Sequence, residues 1–232
     1  MIHLHQYPPA WGLSSLSPFC VKVEAFIKEN KLPYKVVVER NPSRGPKGKM
    51  PFIVDKGVSI ADSSFIISSL IRDYNLKGYE GFSAVQKASA HAFEKMIEEN
   101  FYFILLYARW VDSESRVKTV TEFGKLFPPV IGPLFLKLIR RNLNRQAHLQ
   151  GIGRHSADEV YTKADQDLKA ISEYMQGQVF FLGLVWSPID ASLFAFLITI
   201  LRQPVAPRLK EILAQYPNLV SYAEREAARL SL

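Results

Sequence analysis

Apolar and polar residues alternate with two different periods at the start of the chain. Ile2–Gln6 alternates residue by residue, which predicts a short strand. Ser17 before Pro18 predicts a helix start, with serine as N-cap and proline at the first helical position. Tyr34–Val38 is rich in β-branched residues and predicts a second strand. The helix between the two strands is supported by apolar residues at helical spacing: Cys20, Val23, Phe26 and Ile27.

Residues 39–74 predict a loop, a hairpin and a closing helix. The stretch 42–49 is rich in Pro, Gly and Lys, which is typical of a loop. Two apolar triplets, 52–54 and 58–60, flank Asp55-Lys56-Gly57 and so indicate a hairpin. A helical pattern covers about 62–74. This order of elements is the α/β layout of a thioredoxin-like domain.

The pattern becomes helical throughout after a short segment, 75–82, that is rich in Gly, Lys and Tyr and predicts a linker. Capping-box spacing marks helix starts at Ser83, Ser156 and Ser187. The sequence therefore predicts two domains, a thioredoxin-like one over 1–76 and an all-α one over 83–232.

Composition narrows the class of protein. Hydrophobic residues at 48% and charged residues at 22% are ordinary for a soluble protein. No signal peptide is recognisable, and the longest apolar run, 191–201, is too short to cross a bilayer. The single cysteine excludes an internal disulfide framework, and His3 and His5 share a strand face without a third metal ligand. We expect a cytoplasmic protein without a metal.

The net charge of +7 is concentrated in one segment. Eight Lys and Arg but only one acid, Glu122, occur from Arg116 to Arg154. A solvated basic face is the first interpretation, and a surface for anions or acidic membranes is the alternative. No helix-turn-helix, zinc or single-strand-binding motif accompanies the charge, so nucleic acid is not an expected partner.

Ser17-Pro18-Phe19-Cys20 is the first candidate for chemistry. A serine at a helix N-terminus lies among unpaired backbone N–H groups, where its hydroxyl can donate to a ligand thiolate or simply cap the helix. Cys20, one turn further on, is either a thiol of lowered pKa or a small buried hydrophobe. Without a second cysteine, dithiol exchange within the chain is excluded.

Two segments further along the first predicted domain are also candidates for ligand binding. A proline at Pro51 predicts a turn, with a cis bond as one option, that exposes the backbone of Met50 to a peptide ligand. Asp62 and Ser63 stand where a strand runs into a helix, so they either cap the helix or receive the amino and carboxylate groups of a ligand.

Taken together, the chain resembles the glutathione-transferase superfamily over nearly its whole length. The motifs are Ser-Pro-Phe-Cys at 17–20, Lys-Met-Pro at 49–51, Asp-Ser at 62–63 and the capping box Ser187-Pro-Ile-Asp190. Within the superfamily it is similar to the branch of failed axon connections proteins, metaxins and their bacterial relatives, through 47–53, 93–99, 151–155 and 216–219.

The resemblance implies a glutathione-transferase fold and roles for individual residues. Ser17 would contact the glutathione sulfur, with Ser14, Ser15, Cys20, Tyr7 and Trp11 as competing candidates. Lys49 and Met50 would bind the tripeptide backbone, and Pro51 would be cis. Asp62 and Ser63 would hold the γ-glutamyl end, while Ser187 and Asp190 would be structural.

Two functions of different classes fit this resemblance. The enzyme hypothesis is that glutathione, as co-substrate, attacks or reduces a small hydrophobic electrophile, which would lie between the Ser14–Ser17 loop and Tyr102, Tyr107 and Trp110; these aromatics fit a core equally well. A homodimer is expected with this function.

The alternative is a binding or scaffold protein, as metaxins are thought to be. Its feature is the segment 133–148, a basic amphipathic helix that fits an acidic membrane surface or a partner. Packing of this helix on its own domain is the other interpretation. Its apolar side is predicted to be Leu134, Phe135, Leu138 and Leu143, opposite Lys137, Arg140, Arg141, Asn144 and Arg145.

Overall fold

The computed structural model describes residues 1–125 and 132–232. These residues form two compact units. The first unit comprises Met1–Glu94, Met175–Arg202 and Ser221–Leu232; the second comprises Lys95–Tyr174 and Gln203–Val220. The segment between 76 and 83, where the sequence predicts a domain boundary, connects two helices, and that boundary stays a prediction.

The helices are bounded as follows: α1 Pro18–Glu29, α2 Ser63–Asp73, α3 Ala84–Lys95, α4 Tyr102–Trp110, α5 Ser113–Gly124, α6 Gly132–Gln150, α7 Ala157–Tyr174, α8 Pro188–Arg202, α9 Pro207–Ala214 and α10 Pro217–Leu230. A π-helical turn, Met96–Phe101, joins α3 to α4, so the helical stretch that begins after the predicted cap at Ser83 contains an irregularity that its periodicity does not reveal.

The first unit contains a four-stranded mixed sheet. Its strands are β1 (Ile2–Gln6), β2 (Tyr34–Val38), β3 (Phe52–Asp55) and β4 (Val58–Ala61), arranged in the order β2-β1-β3-β4. β1 runs parallel to β2 and antiparallel to β3, and β3 pairs with β4 as the predicted hairpin. The thioredoxin-like layout is confirmed.

Helices α1 and α8 form the centre of the first unit. The four apolar residues predicted to face the core from α1 are all 0% exposed, and α8 is buried along nearly its whole length. The Phe19 ring meets the Phe196 ring edge to face at 5.5 Å. Lys22, also fully buried, donates to the Glu94 carboxylate at 3.0 Å and to the Ser64 hydroxyl at 3.3 Å. The sequence pattern does not reveal this ion pair.

No single described helix is both long and apolar enough to span a bilayer. Helices α8 and α9 meet that criterion only as a pair, which is bent by 118°.

In the second unit, α4, α5, α6 and α7 surround a core with buried polar links. Tyr107 and Trp110 are both 7% exposed, as the core interpretation of these aromatics predicts. The Tyr161 hydroxyl donates to the Asp112 carboxylate at 2.6 Å, and the buried Arg109 guanidinium donates to the Gln203 side chain at 2.6 Å.

The burial of Asp167 on α7 can be tested by the pH dependence of the free energy of unfolding. Burial raises the pKa of this half-buried carboxyl to about 6, against the hydrogen bond from Asn100. Because that value exceeds the unfolded value of about 3.9, the carboxyl favours folding in acid, and this contribution is lost as the pH rises through 6. Asp167→Asn, which stays neutral, should therefore gain about 1 kcal/mol relative to wild type between pH 4 and pH 7, after allowance for solvent screening. Urea unfolding at both pH values measures this gain, and a pH-independent difference would contradict the assignment.

Candidate functional site

The loop between β1 and α1, residues 7–17, is held in a defined shape. Ala10 and Leu13 exchange backbone hydrogen bonds of 3.2 and 2.8 Å, with Trp11 and Gly12 at positive φ between them. The Arg202 guanidinium donates to the Gly12 carbonyl at 2.7 Å and to the Leu232 carbonyl at 2.9 Å. These hydrogen bonds therefore fix the position of the loop that leads into α1.

Ser17 is the N-cap residue of α1, as predicted, with extended backbone angles. Its side chain makes no capping hydrogen bond to the helix and lies next to the thiol of Cys20. Burial raises the pKa of Cys20 to about 11, against the effect of the neighbouring Ser15 and Ser17 hydroxyls, so the thiol stays protonated at neutral pH.

Exposure separates the competing candidates for contact with a ligand thiol. Ser15 and Cys20 are both 0% exposed. Of the two interpretations of Cys20, the small buried hydrophobe is confirmed and the thiol of lowered pKa is wrong, because burial raises the pKa of the thiol. Ser17, Ser14 and Tyr7 are half-buried. The Ser14 hydroxyl has no hydrogen-bond partner among the described residues, but its oxygen is itself buried, so exposure does not favour Ser14 over Ser17.

The predicted turn before β3 has the expected geometry. The Met50–Pro51 peptide bond is cis, as predicted. The paired residues of β1 and β3 run from His5–Phe52 to His3–Val54, so the Met50 backbone lies outside this ladder. Lys49 is exposed, and its carbonyl approaches Gly45 so closely that a Cβ at Gly45 would clash with it. A glycine is thus required for this shape of the loop.

Asp62 is the N-cap residue of α2. Its Oδ1 accepts hydrogen bonds from the backbone N–H groups of Ser64 at 3.0 Å and Phe65 at 3.4 Å, which confirms the capping interpretation. The residue is exposed and has a φ of 83°, a region that non-glycine residues rarely adopt. Both of these capping bonds use Oδ1. Ser63, the next residue, is 6% exposed.

The three predicted segments meet around one apolar cluster. Cys20, Met50, Phe52 and Ala61 pack together, with Tyr7 partly buried against them. The start of α1, the cis peptide and the start of α2 therefore border the same part of the first unit. Lys47, which the sequence analysis does not assign to the site, has its ammonium 4.5 Å from the centre of the exposed Phe65 ring.

Comparison with known proteins identifies the family. The model of the glutathione S-transferase N-terminal domain matches residues 18–115, and that of the C-terminal domain matches residues 164–226. The isoprene-epoxide–glutathione S-transferase of Rhodococcus sp. (strain AD45) is 31% identical over 97% of both chains. Failed axon connections of Drosophila melanogaster is also 31% identical, over 97% of this chain, which spans 57% of the fly protein. Mouse Metaxin-2 is 26% identical over 88% of this chain and 78% of its own length.

Solved structures agree on the fold. A glutathione transferase family member from Pseudomonas fluorescens pf-5, solved with two glutathione molecules bound, has a TM-score of 0.63 at 15% identity and covers 98% of this chain and 88% of its own. The apo form of glutathione S-transferase III has a TM-score of 0.61 and covers 98% and 91%. The sequence and fold together place this chain in the glutathione S-transferase family.

Proposed function

We propose that the protein binds glutathione in its first unit and transfers it to a small electrophile. The observation that carries the proposal is the position of three chain segments at one apolar cluster: Cys20 follows Ser17 by one turn at the start of α1, Met50 belongs to the cluster, and Ala61 directly precedes Asp62. In this arrangement the Met50 backbone pairs with the cysteinyl residue, and Asp62 and Ser63 hold the γ-glutamyl ammonium and carboxylate. Lys49, and Lys47 beside it, supply positive charge for the glycyl carboxylate.

The chemistry proposed is nucleophilic addition. The Ser17 hydroxyl donates to the glutathione sulfur and stabilises the thiolate, whose proton passes to water. The thiolate attacks a carbon of the electrophile; for an epoxide, the new C–S bond forms as the C–O bond breaks, and the alkoxide takes a proton from water. An epoxide is a reasonable first test substrate because the Rhodococcus relative is named for one.

Asp62→Asn tests the binding half of the proposal. Asparagine keeps an oxygen for the cap bonds to Ser64 and Phe65 but loses the negative charge that the proposal assigns to the ligand ammonium. We expect glutathione affinity to fall by about tenfold to a hundredfold, the scale of one charge-assisted hydrogen bond, with little change in melting temperature. Calorimetric titration of wild type and variant measures both affinities.

Glu173→Gln serves as the matched control, since it removes an exposed carboxylate from α7 in the second unit. It should leave the affinity unchanged. If wild type shows no heat with millimolar glutathione, the proposal is wrong; if both variants bind equally well, Asp62 is only a helix cap.

A second candidate function is a non-catalytic binding protein of the kind that the similarity to metaxins and Failed axon connections suggests. The eight Lys and Arg between Arg116 and Arg154, which belong to the second unit, favour this candidate. Glutathione binding without turnover of any epoxide or aryl halide would support this candidate over the enzyme.

We further propose that the protein acts in the cytoplasm, where glutathione keeps thiols reduced, and as a homodimer. Support comes from the expected co-substrate and from the family. Light scattering of the purified chain tests the dimer, and fractionation of cells tests the location.

A further inference from the structure

Helices α5 and α6 of the second unit border a groove that the glutathione site does not involve. It has a volume of about 440 Å³ and is lined by Arg116, Val120, Pro133, Leu136, Lys137, Arg140, Arg141 and Asn144. Four of these eight residues are cationic, and none of the described lining residues is acidic. We call this the basic groove. Its volume is in the range of small-ligand sites.

The cations of the basic groove are held close to one another. The residues that α6 contributes recur at intervals of three and four, so they occupy one face of the helix. Arg140 is fixed by a hydrogen bond from its guanidinium to the Trp110 carbonyl at 3.2 Å. Burial, and then repulsion by the charge of Arg116, lower the pKa of Arg140 below its usual value. An anion in the groove would relieve that repulsion.

Exposed apolar side chains lie beside these charges. Leu134 is 66% exposed and Leu138 is 57% exposed, and with Arg141 they follow one another along α6 at spacings of four and three. On α5, Val117 is 76% exposed and precedes the groove residue Val120 by one turn. α6 packs on its own unit through Leu136 and Ala147 instead. Of the predicted apolar side of the helix, Leu134, Phe135 and Leu138 are therefore exposed and Leu143 is half-buried.

We infer that the basic groove and its apolar rim form a docking surface for membranes rich in acidic phospholipids. The arginines and lysine hold the lipid phosphates, for which guanidinium groups are well suited, and Leu134, Leu138 and Val117 enter the interfacial region between headgroups and acyl chains. A soluble phosphate ligand needs the charges alone, whereas the adjacent apolar residues favour a bilayer. This surface goes beyond the glutathione site and is independent of it.

Vesicle sedimentation with the full chain tests the inference. Wild type should bind phosphatidylcholine vesicles that contain about 30 mol % phosphatidylglycerol, but not phosphatidylcholine alone, and should dissociate when NaCl rises from about 0.1 to about 0.5 M. The triple variant Arg116→Glu, Lys137→Glu, Arg141→Glu should lose binding by about a hundredfold or more. Leu134→Ser with Leu138→Ser should weaken binding several-fold while its salt dependence remains.

A matched variant distinguishes the effect of the groove residues on vesicle binding from the effect of the protein's net charge. Lys35, Lys87 and Lys210 are exposed lysines outside the groove, and replacing all three with Glu changes the net charge by the same amount. That variant should keep most of the binding, and both triple variants should retain the wild-type melting temperature and glutathione affinity. Three results would overturn the inference. They are no binding of the wild type to acidic vesicles, an equal loss of vesicle binding in the two triple variants, or release of the protein from the vesicles by millimolar inorganic phosphate at constant ionic strength.

Discussion

Asp190→Ala should lower the free energy of unfolding by about 2–5 kcal/mol, the largest loss of stability that we expect from a single polar side chain here. The carboxylate is 0% exposed and accepts four hydrogen bonds. Two come from the backbone N–H groups of Phe181 and Ser187, at 2.8 and 2.9 Å, and two from the Ser187 and Tyr222 hydroxyls, both at 2.9 Å. The hydroxyls can reorient after the substitution, but the two backbone donors would remain buried and unpaired.

The measurement is thermal and urea unfolding at pH 7.5, above the pKa of about 6 to which burial raises Asp190, where the carboxylate is ionised. We expect the melting temperature to fall by roughly 10 °C. Asp158→Ala is the control, because the Asp158 carboxylate is exposed and pairs with Arg208, a contact worth less than about 1 kcal/mol. Glutathione affinity of the folded Asp190 variant should match wild type. An unchanged melting temperature with lost affinity would instead make Asp190 part of the site.

The capping boxes show how far the sequence predicts local structure. Ser83 with Gln86 and Ser156 with Glu159 form both reciprocal bonds, as their spacing predicts. At Ser187 only half of the prediction is right: the Ser187 N–H donates to Asp190, but the serine hydroxyl also donates to that carboxylate instead of accepting from the Asp190 N–H. The bonds from Phe181 and Tyr222 depend on tertiary packing, which spacing along the chain cannot reveal.

The same limit applies to the candidate site. The strands, the start of α1, the cis Met50–Pro51 bond and the cap at Asp62 follow from local residue patterns and from the resemblance to a family. The burial of Cys20, which raises its thiol pKa, depends on Met50, Phe52 and Ala61, which come from other elements. Likewise, the exposure of Leu134 and Leu138 on α6 could not be predicted, since their periodicity suits a packed face as well as an exposed one.

The second large effect that we expect is a loss of catalytic rate when Ser17 is substituted. Under the proposed mechanism, Ser17→Ala should lower kcat/KM for glutathione conjugation by more than about tenfold, because it removes the hydroxyl proposed to stabilise the thiolate, a loss of about 1.4 kcal/mol in the transition state. Glutathione affinity should change little. The pKa of the bound glutathione thiol, followed by thiolate absorbance, should rise towards its value in solution.

Parallel alanine variants of Ser14, Ser15 and Cys20 decide which side chain acts. Ser15 and Cys20 are fully buried, so their substitution should leave the rate within about threefold of wild type, less than the effect of one hydrogen bond. The Cys20 thiol should also resist thiol reagents in the folded protein, since both its burial and its pKa of about 11 oppose reaction. A loss confined to Ser14→Ala would transfer the role to Ser14, whose hydroxyl has no partner among the described residues. A loss confined to Cys20→Ala would mean that the thiol becomes accessible during turnover, and the chemistry would then pass through a cysteine.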